Sequence, residues 1–495
     1  MANAARSEQN RTYGNWRKPT SPGVFGIGLA GSLVLFFGML LVIGALFISI
    51  LTSLGVALLF AVVLAPLTVR DAHGRNGLQW LTARTLWWGG AFRGHQHYRS
   101  GPLGGDVDGA CRLPGLAAAI EVSDWTDAHG QPFALVTVPS LWHHTVVFQC
   151  YAEGASLVDA DQVDTWVAYW GDWLAQLSHE PGLLAAAVTV DAAPDTGDQL
   201  KYEVIGNIDS AAPNLARDVL TEIVRDYPIG SAQLISRVSL TYSGAARNTG
   251  ARRDIEAVAQ AVGARLPGIG ADLHMTGAGP ARPMTSREIA RMARIAYDPG
   301  AATADDGVSP LRWQDAGPVA AVELPDSYRH DSGWSITWSM SEAPRGEVFS
   351  TVLNRLVMPH PDILRKRVTL VYRPHDAGSS ARLVERDRKD AMFKAKQAKV
   401  EHARDSIAVQ AADRAAQEEA TGAGLVRFAL YVTATVNDPS NLALAASAVD
   451  NLAAASRVRL RRVRFGQATA FVAALPLGLV MPLHLRVPQS VRNAM

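Results

Sequence analysis

Charged side chains are absent from one long stretch near the start of the chain. Over Pro19–Val69 there is no Asp, Glu, Lys, Arg or His, which makes 51 consecutive uncharged residues. One membrane-spanning helix needs about 20 apolar residues, whereas the apolar core of a signal peptide has only about 7–15. The stretch therefore predicts a transmembrane hairpin over residues 21–70. We expect helices near Val24–Gly44 and Ile48–Leu67, with a turn around Ala45–Leu51.

Small residues recur at the start of the first expected helix. The letters GIGLAG, residues 26–31, match G-x-G-x-x-G, but no acidic residue follows about 20 positions later, as a dinucleotide site requires. Gly26 and Ala30 are four positions apart, as are Gly28 and Ser32. Small residues at this spacing let helices approach closely in a membrane. We predict that these four residues pack against the second helix or against another protein.

Basic residues flank the uncharged stretch on both sides and predict its orientation. They are Arg6, Arg11, Arg17 and Lys18 before it, and Arg70, Arg75, Arg84 and Arg93 after it. Because positive charge favours the cytoplasmic side, we expect both termini in the cytoplasm, residues 1–20 as a cytosolic tail, and a cell (inner) membrane location. The low cysteine content, Cys111 and Cys150, agrees with a reducing compartment.

A tryptophan-rich segment follows the expected hairpin. Within residues 71–105, Trp80, Trp87 and Trp88 lie among other apolar side chains and near Arg84. Tryptophan favours the headgroup level of a membrane, where one side of the ring is apolar and the other is wet. We predict a short interfacial helix on the inner leaflet. A core helix of the soluble part is the alternative.

The remaining residues alternate between strand and helix patterns, so the predicted fold class is α+β. We expect one cytosolic α+β domain over residues 106–315 and a second over 316–495, divided near the loop-like Asp298–Pro318. In the second domain, successive β–α–β patterns predict a ferredoxin-like fold. A segment rich in Ala, Lys, Glu and Arg predicts one long helix over residues 379–421, about 60 Å in length.

Two predicted helices have specific local signatures. Thr285 is followed three residues later by Glu288, which is the pattern of a capping box at a helix start. Trp166, Trp170 and Trp173 recur at helical spacing on another predicted helix. We interpret this aromatic stripe as core packing and not as a ligand site.

The usual motifs of enzyme chemistry are missing from the sequence. No Gly-Lys pair exists for a P-loop, and there is no G-x-S-x-G, H-E-x-x-H or C-x-x-C. The close histidine pairs, His95 with His97 and His143 with His144, have no third ligand at a suitable spacing. We therefore expect no cofactor, no metal and no catalytic site, which favours an assembly component over an enzyme.

Arginines cluster near the end of the chain. In the letters RVRLRRVRF, Arg457, Arg459 and Arg461 alternate and so would share one face of a strand. Such a stripe could contact phosphate, lipid headgroups or an acidic partner. A solvated strand edge that resists aggregation is the alternative. Nucleic-acid binding is disfavoured because no aromatic residues interleave on the strand and because the net charge of the chain is only +1.

The order of several segments resembles a family of actinobacterial integral membrane proteins that occur with conjugation-type (type IV) secretion machinery. The segments are RTYGNWRKP, RSGPLGG, RLPGLAAAIEV, VAYWGDWLAQLSHEPGL, ITWSMSEAPRG and RVTLVYRPHDAGSSARLVERDRKDA. The part from LVRFALYVTATV to LRRVRFGQATAFVAALPLG also resembles the N-terminal, non-ATPase domain of type IV secretion traffic ATPases. In those ATPases a motor domain with a P-loop follows this part. We expect no motor domain in this chain, because no Gly-Lys pair occurs in the sequence, so the resemblance is not extended to ATPase activity.

The resemblance implies a non-enzymatic membrane scaffold that anchors and docks a separate P-loop ATPase. Its expected partners are membrane lipid, that ATPase, other membrane subunits and further copies of this chain, with no small-molecule substrate. One alternative is a membrane subunit of type VII secretion. Another is a membrane-anchored enzyme with a site in Asp298–Pro318 or in the His95 and His97 loop.

Overall fold

One antiparallel sheet of 13 strands organises the described part of the chain. The computed structural model describes residues 13–14, 16, 28–68, 71, 77–104, 109–152, 154, 158–194, 204–205, 207–209, 211–226, 232–246, 250–302, 311–344, 346–397 and 403–485. The fold is α+β, as the sequence predicts.

In the described part of the chain, three helices precede the sheet. They are α1 (Gly28–Leu46), α2 (Ile50–Thr68) and α3 (Gly77–Phe92), and the short strand β1 (His97–Arg99) follows them. Helices α1 and α2 pack against each other as a hairpin, and α3 contacts α2. A search of the described residues found no helix that is both long enough and apolar enough to cross a membrane. Membrane insertion of the hairpin stays a prediction.

The first half of the sheet region forms a unit of six strands, which we call unit 1. Its elements are β2 (Glu121–Thr126), β3 (Pro132–Val138), β4 (His143–Cys150), α4 (Ala160–Gln176), β5 (Leu183–Pro194), α5 (Asn214–Asp226), β6 (Ala232–Ser243), α6 (Ile255–Gly263), α7 (Leu266–Leu273), β7 (Ala281–Pro283) and α8 (Ser286–Tyr297). Strand β4 lies between β6 on one side and both β3 and β7 on the other.

The second half forms a matching unit, which we call unit 2. Its elements are β8 (Ala320–Glu323), β9 (Tyr328–His330), β10 (Gly333–Glu342), α9 (Asn354–Val357), β11 (Arg365–Pro374), α10 (Ala377–Gln397), α11 (Ala403–Ala420), β12 (Val426–Val436), α12 (Leu442–Ala455), β13 (Arg459–Arg462) and α13 (Gln467–Ala473). Strand β10 lies between β12 on one side and both β9 and β13 on the other.

The two units therefore share one strand order, in which β7-β4-β6-β5 corresponds to β13-β10-β12-β11. They meet edge to edge, because β5 pairs with β11 along seven residue pairs. At the centre of this seam Thr189 lies directly opposite Thr369, and their hydroxyl oxygens are 3.2 Å apart. Since the two threonines occupy equivalent positions, an approximate two-fold axis passes between them. The predicted boundary at 315/316 falls in the sequence between α8 and β8, and the sheet continues across both units.

The two faces of the sheet differ in chemistry. One face is apolar and packs in unit 1 against α4, α6 and α7, and in unit 2 against α9 and α12. The opposite face, which we call the threonine face, has buried hydroxyl pairs that bridge neighbouring strands: Thr145 with Thr241, Ser335 with Thr435, and Thr337 with Thr433. Helices α8 and α13 and the chain after α13 cover much of the threonine face.

The long helix predicted over residues 379–421 is two helices in the structure. Helices α10 and α11 pack against each other, and Arg388 Nε donates to Asp413 Oδ1 at 2.7 Å. Val384, Ala391 and Ala412 are buried. A straight helix would expose such apolar residues, and helix stability in proteins comes mostly from packing an apolar face. The chain therefore folds back, although residues 398–402 contain neither Gly nor Pro.

Two local predictions are confirmed. The capping box at the start of α8 is present, with Thr285 and Glu288 in the expected roles. Trp173 of α4 and Leu177 directly after it are buried, and Trp170 packs beside them, so this part of the aromatic stripe belongs to the core. Within the predicted loop Asp298–Pro318, residues 303–310 lie outside the described residues.

Candidate membrane and partner interface

The α1–α2 hairpin is held by a close approach at a glycine. A Cβ atom added at Gly38 would lie 1.9 Å from Cε2 of Phe60, so only glycine fits there without a shift. This contact lies further along α1 than the stripe of small residues singled out in the sequence. Gly28, Ala30 and Ser32 belong to α1, and Gly26 lies outside the described residues, so a packing role for this stripe stays a prediction.

Polar side chains near the turn of the hairpin are satisfied within it. Ser53 Oγ donates to the carbonyl of Val42 on the other helix at 3.1 Å, and Ser53 is buried. Thr52 Oγ1 donates to the carbonyl oxygens of Ala45 and Ser49. This arrangement suits an apolar solvent, because unpaired polar groups are expensive where water is absent.

Most of the hairpin surface is apolar and exposed. Phe47, Leu51 and Leu54 are between 72% and 89% exposed, and the outward residues on both helices include Phe37, Leu41, Leu58 and Val62. Soluble monomers rarely expose large continuous apolar patches, and such patches mark membrane or protein contacts. The hairpin surface therefore needs a covering of lipid or protein.

Helix α3 divides the three predicted interfacial tryptophans between two environments. Trp80 and Trp88 are 40% and 48% exposed, and the Arg84 guanidinium lies over both rings, at 5.1 and 4.8 Å from their centroids. Trp87 is half-buried, and its ring centroid lies 5.7 Å from that of Phe465. Trp80 and Trp88 are therefore open to an outside contact, whereas Trp87 joins α3 to the sheet region.

The N-terminal tail also reaches the sheet region. Tyr13 forms an antiparallel bridge with Val348, and its hydroxyl donates to Asp164 Oδ1 at 2.9 Å. Tyr13, the tyrosine of the RTYGNWRKP segment, therefore contacts the sheet region through both its backbone and its side chain. Together with Trp87 and Phe465, they connect the hairpin side of the molecule to the sheet at separate points.

The strand that carries the arginines is shorter than the sequence predicts. Strand β13 covers only Arg459–Arg462, so the expectation that Arg457 shares its face is wrong. Arg457 is exposed in the preceding turn, where its φ is +54°. The chain must turn there because α12 ends at Ala455, and the strand can begin only after that turn.

The other arginines of this segment contact neighbouring strands. Arg459 pairs with Glu342 at 3.3 Å, and Arg461 lies 3.5 Å from Ser339 Oγ. Arg462 donates to the carbonyl of Asp326 at 3.0 Å. A phosphate or partner contact through Arg459 and Arg461 stays a prediction.

The histidine pairs occupy different settings. His95 and His97 lie beside and in β1, whereas His143 and His144 are buried in β4. Burial lowers the pKa of both His143 and His144 to about 4, with further lowering by His484 at His143 and by Arg253 at His144. Within the ranges that the structure describes, no group of three His, Cys, Asp or Glu side chains is arranged to hold a metal ion.

Comparison with known proteins gives information on the hairpin region. A family model described as a domain of unknown function, DUF8461, matches residues 20–79. The matched range includes α1, α2 and the first residues of α3. No match was found among curated proteins. The chain is thus similar to this family over its hairpin, and the family description carries no activity.

Proposed function

We propose that the chain is a non-enzymatic inner-membrane scaffold of a conjugation-type secretion or DNA-transfer apparatus, which anchors and docks a separate P-loop ATPase. The observation that carries this proposal is the joining of an apolar two-helix hairpin to a large sheet region through α3. A scaffold needs both parts: one holds it at the membrane, and the other presents a rigid surface to soluble partners.

Membrane anchoring by the hairpin is supported by its sequence and its surface. The 51 uncharged residues can supply two crossings. The exposed leucines and phenylalanines would face lipid, and the hydroxyls of Thr52 and Ser53 already have acceptors. The flanking arginines favour a cytoplasmic location for both termini.

Helix α3 is proposed to lie at the inner leaflet. Trp80 and Trp88 project from the side of the helix that is open, with Arg84 between them. An indole ring suits the boundary between apolar and wet regions, and an arginine beside it suits anionic headgroups. Trp87 packs instead against Phe465 and would hold the sheet region close to the membrane.

Motor docking is proposed for unit 2. Its strands and helices follow the β-α-β-β-α-β arrangement of a ferredoxin-like fold, with α10 and α11 inserted between the second and third strands. The same part of the sequence resembles the membrane-proximal domain of traffic ATPases. Phe393 on α10 and Ile407 on α11 are 62% and 63% exposed, which gives the helix pair two apolar contact points.

Crosslinking in native membranes tests this proposal. The tagged full-length chain would be crosslinked mildly, purified and analysed by mass spectrometry. We expect a P-loop ATPase together with conjugation-type membrane subunits, and we expect crosslinks from residues of α10 or α11. Recovery of a type VII motor would favour that alternative, and recovery of metabolic enzymes would contradict the scaffold role.

A matched pair of variants sharpens the experiment. The double variant Phe393→Ser with Ile407→Ser removes both exposed apolar contacts of the helix pair and should lower ATPase recovery at least fivefold. Leu444→Ser changes a similarly exposed apolar residue on α12 and should leave recovery unchanged. Equal recovery with both variants would place the docking surface elsewhere.

A further inference from the structure

A cluster of charged side chains lies buried beside the seam between the two units. Asp191 on β5 pairs directly with Arg367 on β11 in the strand register, and Arg237 lies on the neighbouring strand β6. Asp191, Arg237 and Arg367 are 1%, 7% and 2% exposed. Arg365, two positions before Arg367, is only partly buried and brings the cluster toward the surface.

The single carboxylate of the cluster is fully engaged. Arg237 Nη1 donates to Asp191 Oδ2 at 3.0 Å, and Arg367 Nε donates to Asp191 Oδ1 at 2.9 Å. Burial alone would raise the pKa of Asp191, but Arg367, Arg237 and Arg365 hold it below its usual value. The carboxylate is therefore ionised, and these four groups together carry a net charge of +2.

Two guanidinium donors of the cluster have no acceptor among the described residues. They are Arg237 Nε and Arg367 Nη1, and both are inaccessible to solvent. A buried donor without an acceptor typically lowers stability by about 1–3 kcal/mol, and by more for a charged group. The donors thus indicate that a further acceptor belongs at this place.

The groups around the cluster supply little negative charge. Glu288 on α8 interacts with Arg237 through its charge, but its Oε1 accepts from Arg282 at 2.5 Å. The Phe471 ring lies 5.7 Å from the Arg367 guanidinium carbon, which is a cation–π contact. Thr369 donates its hydroxyl to the carbonyl of Ala474 at 2.7 Å. Burial of uncompensated charge is strongly unfavourable, so a counter-anion would stabilise the seam.

We propose that Arg237, Arg365 and Arg367 form a binding site for a phosphate-class oxyanion at the seam between the two units. The tetrahedral oxyanion would accept from Arg237 Nε and Arg367 Nη1, while Arg365 pairs with its outward oxygens. Arginine suits this role because its planar fork of donors matches phosphate geometry. The anion would link β6 of unit 1 to β11 of unit 2 and so hold the units together.

The ligand could be free inorganic phosphate or the phosphoryl group of a small molecule, since both present the same oxygens. Competition distinguishes these sources. If a nucleoside monophosphate displaces labelled inorganic phosphate, the site admits a phosphoryl group on a larger molecule. If it does not, the site takes the free anion. Either result supports an oxyanion site and identifies its source.

Thermal unfolding of the full chain in detergent tests the proposal. Unfolding would be followed in sodium phosphate and in sodium chloride at matched ionic strength. A ligand that binds only the folded state raises Tm with its concentration. We expect a saturable rise of about 3 °C in phosphate alone, and equilibrium dialysis with radiolabelled phosphate should show one site per chain.

Two arginine variants make the test specific. Arg365→Gln removes one positive charge and the guanidinium donors. Because Arg365 is only partly buried, the variant should still fold. It should weaken phosphate binding at least tenfold. Arg459→Gln alters an exposed arginine paired with Glu342 and should keep the wild-type response. No saturable phosphate effect in the wild-type chain, or an equal effect in Arg365→Gln, would overturn the proposal.

Discussion

Gly478 allows the chain after α13 to lie directly on the sheet. Its φ is +73°, and a Cβ atom added there would lie 1.8 Å from Thr145 Oγ1 and 2.7 Å from Thr241 Oγ1. Thr145 and Thr241 share a hydrogen bond between β4 and β6. The glycine therefore lets the chain cross the threonine face of unit 1 in direct contact with it.

Gly478→Ala should destabilise the protein through both overlap and backbone strain. We expect a loss of about 2–4 kcal/mol in the free energy of unfolding, measured by thermal unfolding in detergent. Gly250→Ala is the matched control, because Gly250 also has a positive φ, +66°, but has open space around it. Equal losses in the two variants would show that the contact with Thr145 is unimportant.

His330 predicts a pH dependence at the residue scale. It is fully buried, its Nδ1 lies 2.6 Å from the carbonyl of Tyr297, and its Nε2 lies 2.8 Å from Ser335 Oγ. Since a carbonyl only accepts, Nδ1 carries the proton and Nε2 accepts from the serine. Burial is the largest cause that lowers the pKa of His330 to about 4.

The sign of this dependence follows from the lowered pKa. Between pH 6.5 and 4 the unfolded chain binds a proton that the folded chain does not, so stability falls as the pH falls through this window. His330→Asn should lower stability at pH 7 but flatten the loss between pH 6.5 and 4.5 by about 2 kcal/mol. The exposed His129→Asn should leave stability at pH 7 unchanged, and an unaltered slope in His330→Asn would contradict the account.

At the residue scale, the sequence predicts features formed by nearby residues better than it predicts contacts between residues distant in the chain. The Thr285 capping box is visible because both of its members lie within four positions. The Asp191 cluster is not, because its members come from three strands that are distant in sequence. A signal exists in Arg365 and Arg367, whose i, i+2 spacing inside a strand places two charges on one face.

Among the elements, the fold-back of α10 onto α11 is the clearest departure from the sequence pattern. Residues Arg388 and Asp413 are 25 positions apart, which would be about 37 Å in one continuous helix. In the structure they form an ion pair. Residues 398–402, which lie between the two helices in the sequence, contain neither Gly nor Pro, so the fold-back is explained by the apolar residues that the two helices bury against each other.

A cysteine pair tests this fold-back. Arg388→Cys with Asp413→Cys should be joined by a short bismaleimide crosslinker, because the two side chains form a direct ion pair in the structure, whereas one continuous helix would hold them about 37 Å apart. Arg382→Cys with Asp413→Cys displaces one partner by six residues, about 9 Å along the helix, and should crosslink less. The readout is the gel mobility of the chain with and without the crosslinker. No crosslink in the first pair would support a single long helix.

The hairpin offers a second test at this scale. Gly38→Leu places a side chain where Phe60 lies and should separate α1 from α2, whereas Gly44→Leu adds one where nothing lies within 4 Å. We expect Gly38→Leu to lower the yield of folded protein in the membrane at least threefold, and Phe60→Ala to restore part of it. Fluorescence size-exclusion chromatography measures the yield. An equal yield for the two glycine variants would contradict the packing.

For the whole molecule, the main feature is the repeat of one unit about the Thr189 and Thr369 pair. The sequence predicts α+β structure and the β–α–β order of unit 2, but it does not predict that unit 1 has the same strand order. A short signal is present, because Val188-Thr189 and Val368-Thr369 are identical at equivalent positions. This two-residue match is too short to reveal a repeat. The strand order could not be predicted either, because it depends on pairing between strands that are distant in the sequence.

The two units have similar strand orders but different neighbours in the chain. The outer edge of β8 in unit 2 pairs with β1, which follows the hairpin and α3. Unit 2 therefore has the direct strand connection to the hairpin side. In the proposed function this arrangement brings unit 2, with its α10 and α11 helix pair, under the membrane as the docking part.

The central claim is that the hairpin anchors the sheet region at the cytoplasmic face of the membrane. Paired reporter fusions test it most directly, with green fluorescent protein or alkaline phosphatase fused after Met495 or inserted in the turn at Ser49. We predict fluorescence with the Met495 fusion, phosphatase activity with the Ser49 insertion, and membrane retention of the chain in alkaline carbonate. Phosphatase activity at Met495, or release by carbonate, would contradict the claim.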